Sequence, residues 1–489
     1  MQHFIGHFPV ILIAALLIPA AFGQDAQQKP EEENPILPQS EDYNKYWSES
    51  AFEKPAKLES TGRGAPYPPF PPNAVMGQYS KTIDHYSSNP DLPEWLAPYT
   101  SVRLRGKGTL RLYGFAREDW SMATRRFQEI QFPQWVLPQD SAYHSANSKD
   151  PITVDENFNY DLFAKVTRLG AEYFHKPDGF LEGGRAWARV EVDFLNNQSD
   201  TSDPTNQPSR PLLRLRLAHL GIGKGDWDLV MGQDWDLFFP LIPTVMQGTQ
   251  MAYAGNTGDR RPSAYVSYDH DFGEGIRIQV QNGISLANAI DIADYNSDGQ
   301  KGNSDYGLPG YQTRLGVVVP TEVEKQPLMI GISAVMADTH EAVGQGKRQA
   351  RTFPQRGIAG DLRLPLNEYM VFQGEAYTGY DLNEWRGGVG QGINLEEGKV
   401  IQAAGGWWEI VTRTCEYHRF AVGMGVDKAD GADVPLHGRT RNLVSWVRNE
   451  FMPGSGIVFG CEYFLWSTQY NGHEPGKASL INLFSQLNF

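Results

Sequence analysis

Cysteine is nearly absent. Cys415 and Cys461 are the only two in 489 residues, too few for a disulfide framework to supply stability. Positive charge is also scarce: 43 Lys and Arg stand against 58 Asp and Glu, and a formal charge of −15 repels a phosphate backbone, so no nucleic acid is expected as a partner. The signatures GxSxG, HExxH and the P-loop are missing, and the scattered histidines show no ligand spacing, so no catalytic residues are assigned and the chain does not read as an enzyme. Long apolar runs are missing except at the N-terminus. There Phe8 to Phe22 (FPVILIAALLIPAAF) has the length of a signal-peptide core and leads into the small-x-small site Ala21-Phe22-Gly23. The flank carries only His3 and His7 where Lys or Arg is usual, but an anchor helix would need about 20 apolar residues. Residues 1–23 therefore read as a signal peptide, and no helix elsewhere is expected to span a membrane.

What is present is glycine (50 residues), aromatic residues (12%) and a two-residue rhythm. Residues 24–105 are rich in proline and acid (QKPEEENPILPQSEDYNK, then GAPYPPFPPN), a composition that buries too little apolar surface to offset chain entropy, and they read as a disordered or extended arm. From 106 to 489 the pattern alternates. In RAWARVEVDF, Ala186, Ala188, Val190, Val192 and Phe194 share one face, and Arg185, Trp187, Arg189, Glu191 and Asp193 the other. The same alternation sets Leu213, Leu215 and Leu217 against Arg214 and Arg216. It sets Ile276, Ile278 and Val280 against Arg277, Gln279 and Gln281, and Ile358, Leu362 and Leu364 against Asp361 and Arg363. Alternation alone fits a soluble sandwich as well as a barrel.

Segment count and loop length separate the two. Strands are expected near 109–117, 160–174, 184–195, 212–222, 226–235, 262–271, 275–285, 310–319, 327–337, 355–364, 368–378, 400–412, 417–426, 440–451, 456–467 and 477–489, sixteen in all. Long connections (118–159, 196–211, 236–261, 286–309, 338–354, 379–399, 427–439, 468–476) alternate with mostly tight turns such as GKGD, FGEG, PLNE and MPGSG. A barrel in the outer membrane has this bias, with short turns in the periplasm and long loops outside. The expected fold is thus all-β, a transmembrane antiparallel up-and-down barrel whose closure pairs every backbone group in lipid. A lumen that wide holds water, which reconciles a mean hydropathy of −0.45 with a membrane location. Aromatic residues near strand ends (Tyr113, Phe115, Tyr173, Trp227, Trp235, Tyr268, Tyr311, Trp408, Trp466) suit interfacial girdles. Alternation sends Trp408 and Cys461 towards lipid and Glu409 inward, and puts Cys415 in a turn, so the two thiols do not pair.

Four stretches resemble the DcaP-like trimeric outer-membrane porins: TRLGAEY (167–173), ARVEVDFLN (188–196), LRLRLAHLGIGKGDWDLVMGQDWDLFFP (213–240) and NTGDRRPSAYVSYDH (256–270). Family members pair an LRLRHAY-type strand with a following AGQxWxxF strand and a GxTGxRxP return strand. The resemblance covers about 100 residues and implies a sixteen-stranded, trimeric diffusion porin with some preference for anionic solutes. The coiled-coil segment that the family carries before the barrel has no counterpart in this proline-rich arm, which shows no heptads.

Selectivity in a porin comes from the charges and width of a constriction. The connection Asp236 to Arg261 (DLFFPLIPTVMQGTQMAYAGNTGDRR) stands where porins fold a loop into the lumen, and its apolar content suits packing inside a barrel. Candidates for the constriction are Arg111, Arg185, Arg189, Arg214 and Arg216 on the wall and Arg260 and Arg261 at the loop's return. Glu191, Asp193 and Asp259 are the counter-charges.

A second constellation, DYNSDGQKGNSD, has calcium-loop spacing. Asp294, Asn296, Asp298, the Gln300 carbonyl and Asp305 would ligate, with Gly299 at the turn, although Asp305 replaces the usual bidentate Glu and no flanking helices are evident. No other cofactor is expected. The closing run KASLINLFSQLNF places Ser479, Ile481, Leu483, Ser485, Leu487 and Phe489 on one face. This is the shape of a last barrel strand whose terminal aromatic, Phe489, is an address for the outer-membrane barrel assembly machinery; it should pair with the strand near Leu110 to Arg117. The arm would lie in the periplasm. The alternative from another class is a secreted all-β carbohydrate-binding protein or glycosidase, using a carboxylate pair about 5–10 Å apart.

Overall fold

The computed structural model describes residues 101–104, 108–139, 158–175, 179, 182–195, 211–287, 309–321, 323, 327–343, 349–415, 417–454 and 456–489. The signal segment, the arm up to residue 100 and the candidate calcium loop 294–305 lie outside the described residues. Sixteen antiparallel staves close on themselves. In chain order they are β1 (Gly108–Ala123), β2 (Asn159–Phe163 continued by Arg168–His175), β3 (Arg185–Asp193), β4 (Arg214–Lys224), β5 (Trp227–Trp235), β6 (Arg260–Asp271), β7 (Arg277–Ser285) and β8 (Gly310–Val319). The second half comprises β9 (Leu328–Val343), β10 (Gln349–Asn367), β11 (Met370–Tyr380), β12 (Gln402–Cys415), β13 (His418–Ala429), β14 (Arg439–Gly454), β15 (Ile457–Tyr470) and β16 (Gly476–Asn488). Each pairs with the next, and β16 pairs with β1 from Phe115↔Asn488 to Ala123↔Leu480, so no edge is left.

The two-residue period holds the staves in register. On β12, Trp407 and Glu409 are buried inside while Trp408 between them is exposed outside. On β3, Trp187, Arg189, Glu191 and Asp193 face in and Val190 faces out. Exposed Leu, Ile, Met and Phe side chains cover the outer surface, as lipid requires. Cys415 and Cys461 are both exposed and free. Turns are set locally: Gly225, at φ 57°, begins the two-residue turn between Lys224 and Trp227, a left-handed position that suits glycine.

Several expectations are corrected. Strict alternation groups Leu217 with Leu213 and Leu215 on the face opposite the arginines, but it is fully buried inside. Opposite β3, the register slips between Glu191↔Leu217 and Val192↔Leu215, so Arg216 is the extra residue of a bulge and both Arg216 and Leu217 face inward. Tyr113, Phe115, Trp235 and Trp466 are not girdle residues: they point inward, where Tyr113 hydrogen-bonds Glu191, Trp235 lies under Arg260 and Trp466 packs on Phe127. The long connection 338–354 shortens, because β9 and β10 pair as far as Val343↔Gln349. The last strand pairs with the strand of Leu110 to Arg117, as expected, but its register runs from Phe115 to Ala123. Below Phe489, which exchanges two hydrogen bonds of 3.0 Å with Gly114, the segment Ser101–Leu104 pairs with β1 residues 108–111, in what composition assigned to the arm.

Not every outward position is apolar. Glu118, mid-way along β1, is exposed on the outer face directly opposite the exposed Ser485 of β16. Among the described residues it has no ion-pair partner.

Candidate functional site

The lumen is occupied by folded chain and not by water alone. Among the described residues, three connections turn inward. The first (124–139) buries Phe127, Ile130, Phe132 and Val136 and is tied to β15 by Val136 N–H to Thr468 Oγ1 (3.0 Å) and Tyr470 O–H to the Val136 carbonyl (2.6 Å). The second is the expected constriction loop, 236–259, in which Leu237, Phe238, Phe239, Leu241, Val245 and Met251 are buried.

A row of inward acceptors on the opposite wall holds this loop. Gln312 on β8 accepts the N–H groups of Leu237 (2.8 Å) and Phe238 (3.1 Å). Glu375 on β11 accepts Leu241 N–H (2.5 Å), Glu409 on β12 accepts Thr244 N–H (2.8 Å) and Oγ1–H (3.0 Å), and Glu462 on β15 accepts Met246 N–H (2.5 Å). Arg448 donates to the Thr244 carbonyl from β14. Further along, a Cβ on Gly425 would sit 2.1 Å from the Ala254 carbonyl, so only glycine lets the loop backbone lie against β13.

The third connection, between β11 and β12, was read as an ordinary external loop. It turns inward through two short 3-10 turns, Asn383–Trp385 and Gly388–Gly390, and buries Leu382, Trp385 and Val389 completely. The two inner loops share a junction. Arg261 forms an ion pair with Asp236 (2.6 Å), both with fully buried side chains, donates to the Glu384 carbonyl (2.8 Å) and lies over the Trp385 ring at 3.6 Å. Seven non-glycine residues of these loops (Phe239, Gln250, Met251, Tyr253, Asp381, Arg386 and Val389) hold positive φ between 51° and 65°.

The third loop is also hinged on an acid. Asp381 is buried, and burial pushes its carboxyl up to about 7, against hydrogen bonds from Thr339 (2.9 Å) and Gln355 and with Glu384 nearby. A carboxyl raised in the folded state stabilises it most below its ordinary value of about 4 and loses that contribution as pH rises through 7. Protease cleavage within 381–401 is therefore expected to rise from pH 5 to pH 8, and Asp381→Asn to remove that dependence; an unchanged pH profile in Asp381→Asn would refute it.

Inside the barrel, beside the arginine-rich wall, lies a cleft of about 440 Å³. Four guanidinium groups (Arg214, Arg216, Arg260, Arg386) and one carboxylate (Asp259) line it, with Trp235, Phe132, Ile242 and seven loop residues between 248 and 258 completing the sides. Behind the lining is a ladder of pairs. Glu191 joins Arg216 (2.6 Å), Arg189 (3.1 Å) and Arg168 (3.5 Å), while Asp193 joins Arg214 (2.7 Å) and Arg216 (3.0 Å). Arg260 and Arg216 also stand over the Trp235 ring at 4.8 and 5.9 Å.

Of the ten sequence candidates, Arg214, Arg216, Asp259 and Arg260 line the cleft, and Arg189, Glu191 and Asp193 support them from behind. Arg111 pairs with Glu172 (3.4 Å) and Arg185 with Asp228 (2.7 Å) towards the turn end of the wall, and Arg261 is sealed in the loop junction. Arg386 was missed. Its segment, NEWRGGVGQG, is as rich in glycine as an exposed loop, and only Trp385 hinted at burial.

The crystal structure of the outer-membrane channel DcaP of Acinetobacter baumannii matches at a TM-score of 0.58 and 16% identity, over 80% of this chain and 100% of that one. The fold is that of the DcaP channel. An anion-selective porin from Comamonas acidovorans matches at a TM-score of 0.45 and 10% identity (78% of this chain, 100% of that one). OmpF of Salmonella typhi, in complex with daunomycin, matches at 0.46 and 10% (80% and 100%). No protein-family model and no curated protein matches the sequence.

Proposed function

We propose that this protein is an outer-membrane porin, a passive channel for small hydrophilic solutes that prefers anions. The observation that carries the reading is the cleft lining: four guanidinium groups against one carboxylate, in the space the three loops leave open. In a narrow, partly desolvated passage such an excess concentrates anions and repels cations, whatever the net charge of the whole chain. Permeation along one wall, past Arg214, Arg216 and Arg260, asks no chemistry of the protein. A glycosidase would need a second carboxylate facing the same space. Asp259 is the one carboxylate among the lining residues, and Arg260 and Arg386 hold it.

The working unit in this reading is a homotrimer. A bare carboxylate in the mid-bilayer is unfavourable, so the outer face carrying Glu118 and Ser485 is the surface for a neighbouring subunit. The N-terminal segment directs export, and Phe489 serves the assembly machinery; calcium at Asp294, Asn296, Asp298, Gln300 and Asp305 would stiffen an external loop.

Reconstitution in planar bilayers tests the reading. A heat-modifiable trimer is expected to conduct, with a reversal potential on the anion side in a KCl gradient. A folded trimer that does not conduct refutes the channel, and a cation-side potential refutes the preference.

A further inference from the structure

Asp259 stands at the return of the constriction loop with one oxygen turned to each of two arginines. Its Oδ1 accepts from Arg260 Nη2 (3.2 Å) and Nε (3.3 Å), and its Oδ2 from Arg386 Nη2 (2.6 Å) and Nε (2.9 Å). Burial by itself would raise the Asp259 carboxyl, but Arg386 and then Arg260 outweigh it and hold the group well below the usual carboxylate range, so the acid is ionised at any physiological pH. Arg260 belongs to the wall. Arg386 comes from the infolded connection between β11 and β12, and its position is fixed several times over. Its N–H donates to the Asn383 carbonyl (3.0 Å), its own carbonyl accepts from Tyr253 (3.2 Å), and its guanidinium lies over the Tyr253 ring at 5.5 Å. The backbone there is left-handed, φ 65°, next to Gly387 and Gly388. Glycine would adopt that conformation freely, whereas a non-glycine residue is held there at a cost of order 1–3 kcal/mol. An arginine kept in such a place is kept for its side chain.

We propose that Arg386 is a specificity-determining residue of the channel: it cancels the Asp259 carboxylate inside the cleft and thereby sets the anion preference. The inference rests on the channel reading. Four lining arginines less one aspartate leave an excess of three positive charges. Loss of the Arg386 charge lowers the excess by one and leaves Asp259 to Arg260 alone; loss of the Asp259 charge raises it by one; loss of both restores it. A purely structural Arg386 follows another pattern, because breaking the Asp259–Arg386 link from either side would loosen the same two loops and move selectivity in the same direction.

The test uses the full chain in planar bilayers under a KCl gradient, with wild type, Arg386→Gln, Arg386→Lys, Asp259→Asn and the double variant Arg386→Gln/Asp259→Asn. The anion-to-cation permeability ratio is expected to fall severalfold in Arg386→Gln, to stay near wild type in Arg386→Lys, to rise in Asp259→Asn and to return near wild type in the double variant. An unmoved ratio in Arg386→Gln, or a shift in the same direction in both single variants, overturns the inference while leaving a conducting wild type as a porin. A folded wild-type trimer that does not conduct overturns the channel reading first. Should Arg386→Gln not yield a folded barrel, Asp259→Asn decides alone: a raised ratio supports the proposal and an unchanged one overturns it.

Discussion

Replacing Glu375, Glu409 and Glu462 together by alanine is expected to release the constriction loop and raise single-channel conductance severalfold, while the anion preference falls towards that of free solution. The three carboxylates accept backbone N–H groups of Leu241, Thr244 and Met246 from three separate staves, β11, β12 and β15. Hydrogen bonds to a charged group contribute about 1.5–3 kcal/mol each, and a donor left buried without a partner costs about as much again. Glu409 is the strongest single position, because it also accepts from Thr244 Oγ1 and from Gln373 Nε2 (2.6 Å). The backbone ladders between staves are untouched, so heat-modifiable mobility should stay as in wild type. Unaltered conductance in the triple variant would mean that apolar packing and the stem at Asp236 suffice to hold the loop.

Arg261→Met is expected to be the most destabilising single substitution in the interior, by about 3–5 kcal/mol, the usual cost of stranding one member of a buried ion pair. Its partner Asp236 has no exposed side-chain surface, and Arg261 also donates to the carbonyls of Leu286 and Ala287 (3.0 Å each) and of Glu384. Three connections thus meet on one guanidinium. Limited proteolysis should show cuts in both 236–259 and 381–401, and the temperature of heat modification should drop. Adding Asp236→Leu, which removes the stranded charge, should recover much of the loss. Wild-type resistance in Arg261→Met would show that the junction is held by Trp385 and its apolar neighbours.

Legibility in the sequence follows the number of constraints on each residue. A stave between lipid and lumen must alternate, so RAWARVEVDF and GIRIQVQNG show their two faces directly, and sixteen such segments with uneven connections yield the barrel. Leu217 escaped because a bulge changes the phase of alternation without changing composition. Tyr113, Phe115, Trp235 and Trp466 were misplaced because a water-filled lumen was assumed, and a lumen packed with loops admits aromatic rings. The constriction loop was visible in DLFFPLIPTVM, since so apolar a connection needs cover. The β11–β12 connection was not: its glycine-rich stretch looks the same in an exposed loop and in a tight inward turn. Hence Arg386, the one lining arginine on that connection, could not be found from the sequence.

The left-handed backbone of Phe239, Gln250, Met251, Tyr253, Arg386 and Val389 has a consequence for portability. As a free peptide, or grafted onto a barrel without the acceptors of β8, β11, β12 and β15, either loop would relax out of these conformations. The shape of the aperture is a property of the enclosure and not of the segment that narrows it. Exchange of loops between related channels should therefore carry over charge far more readily than geometry.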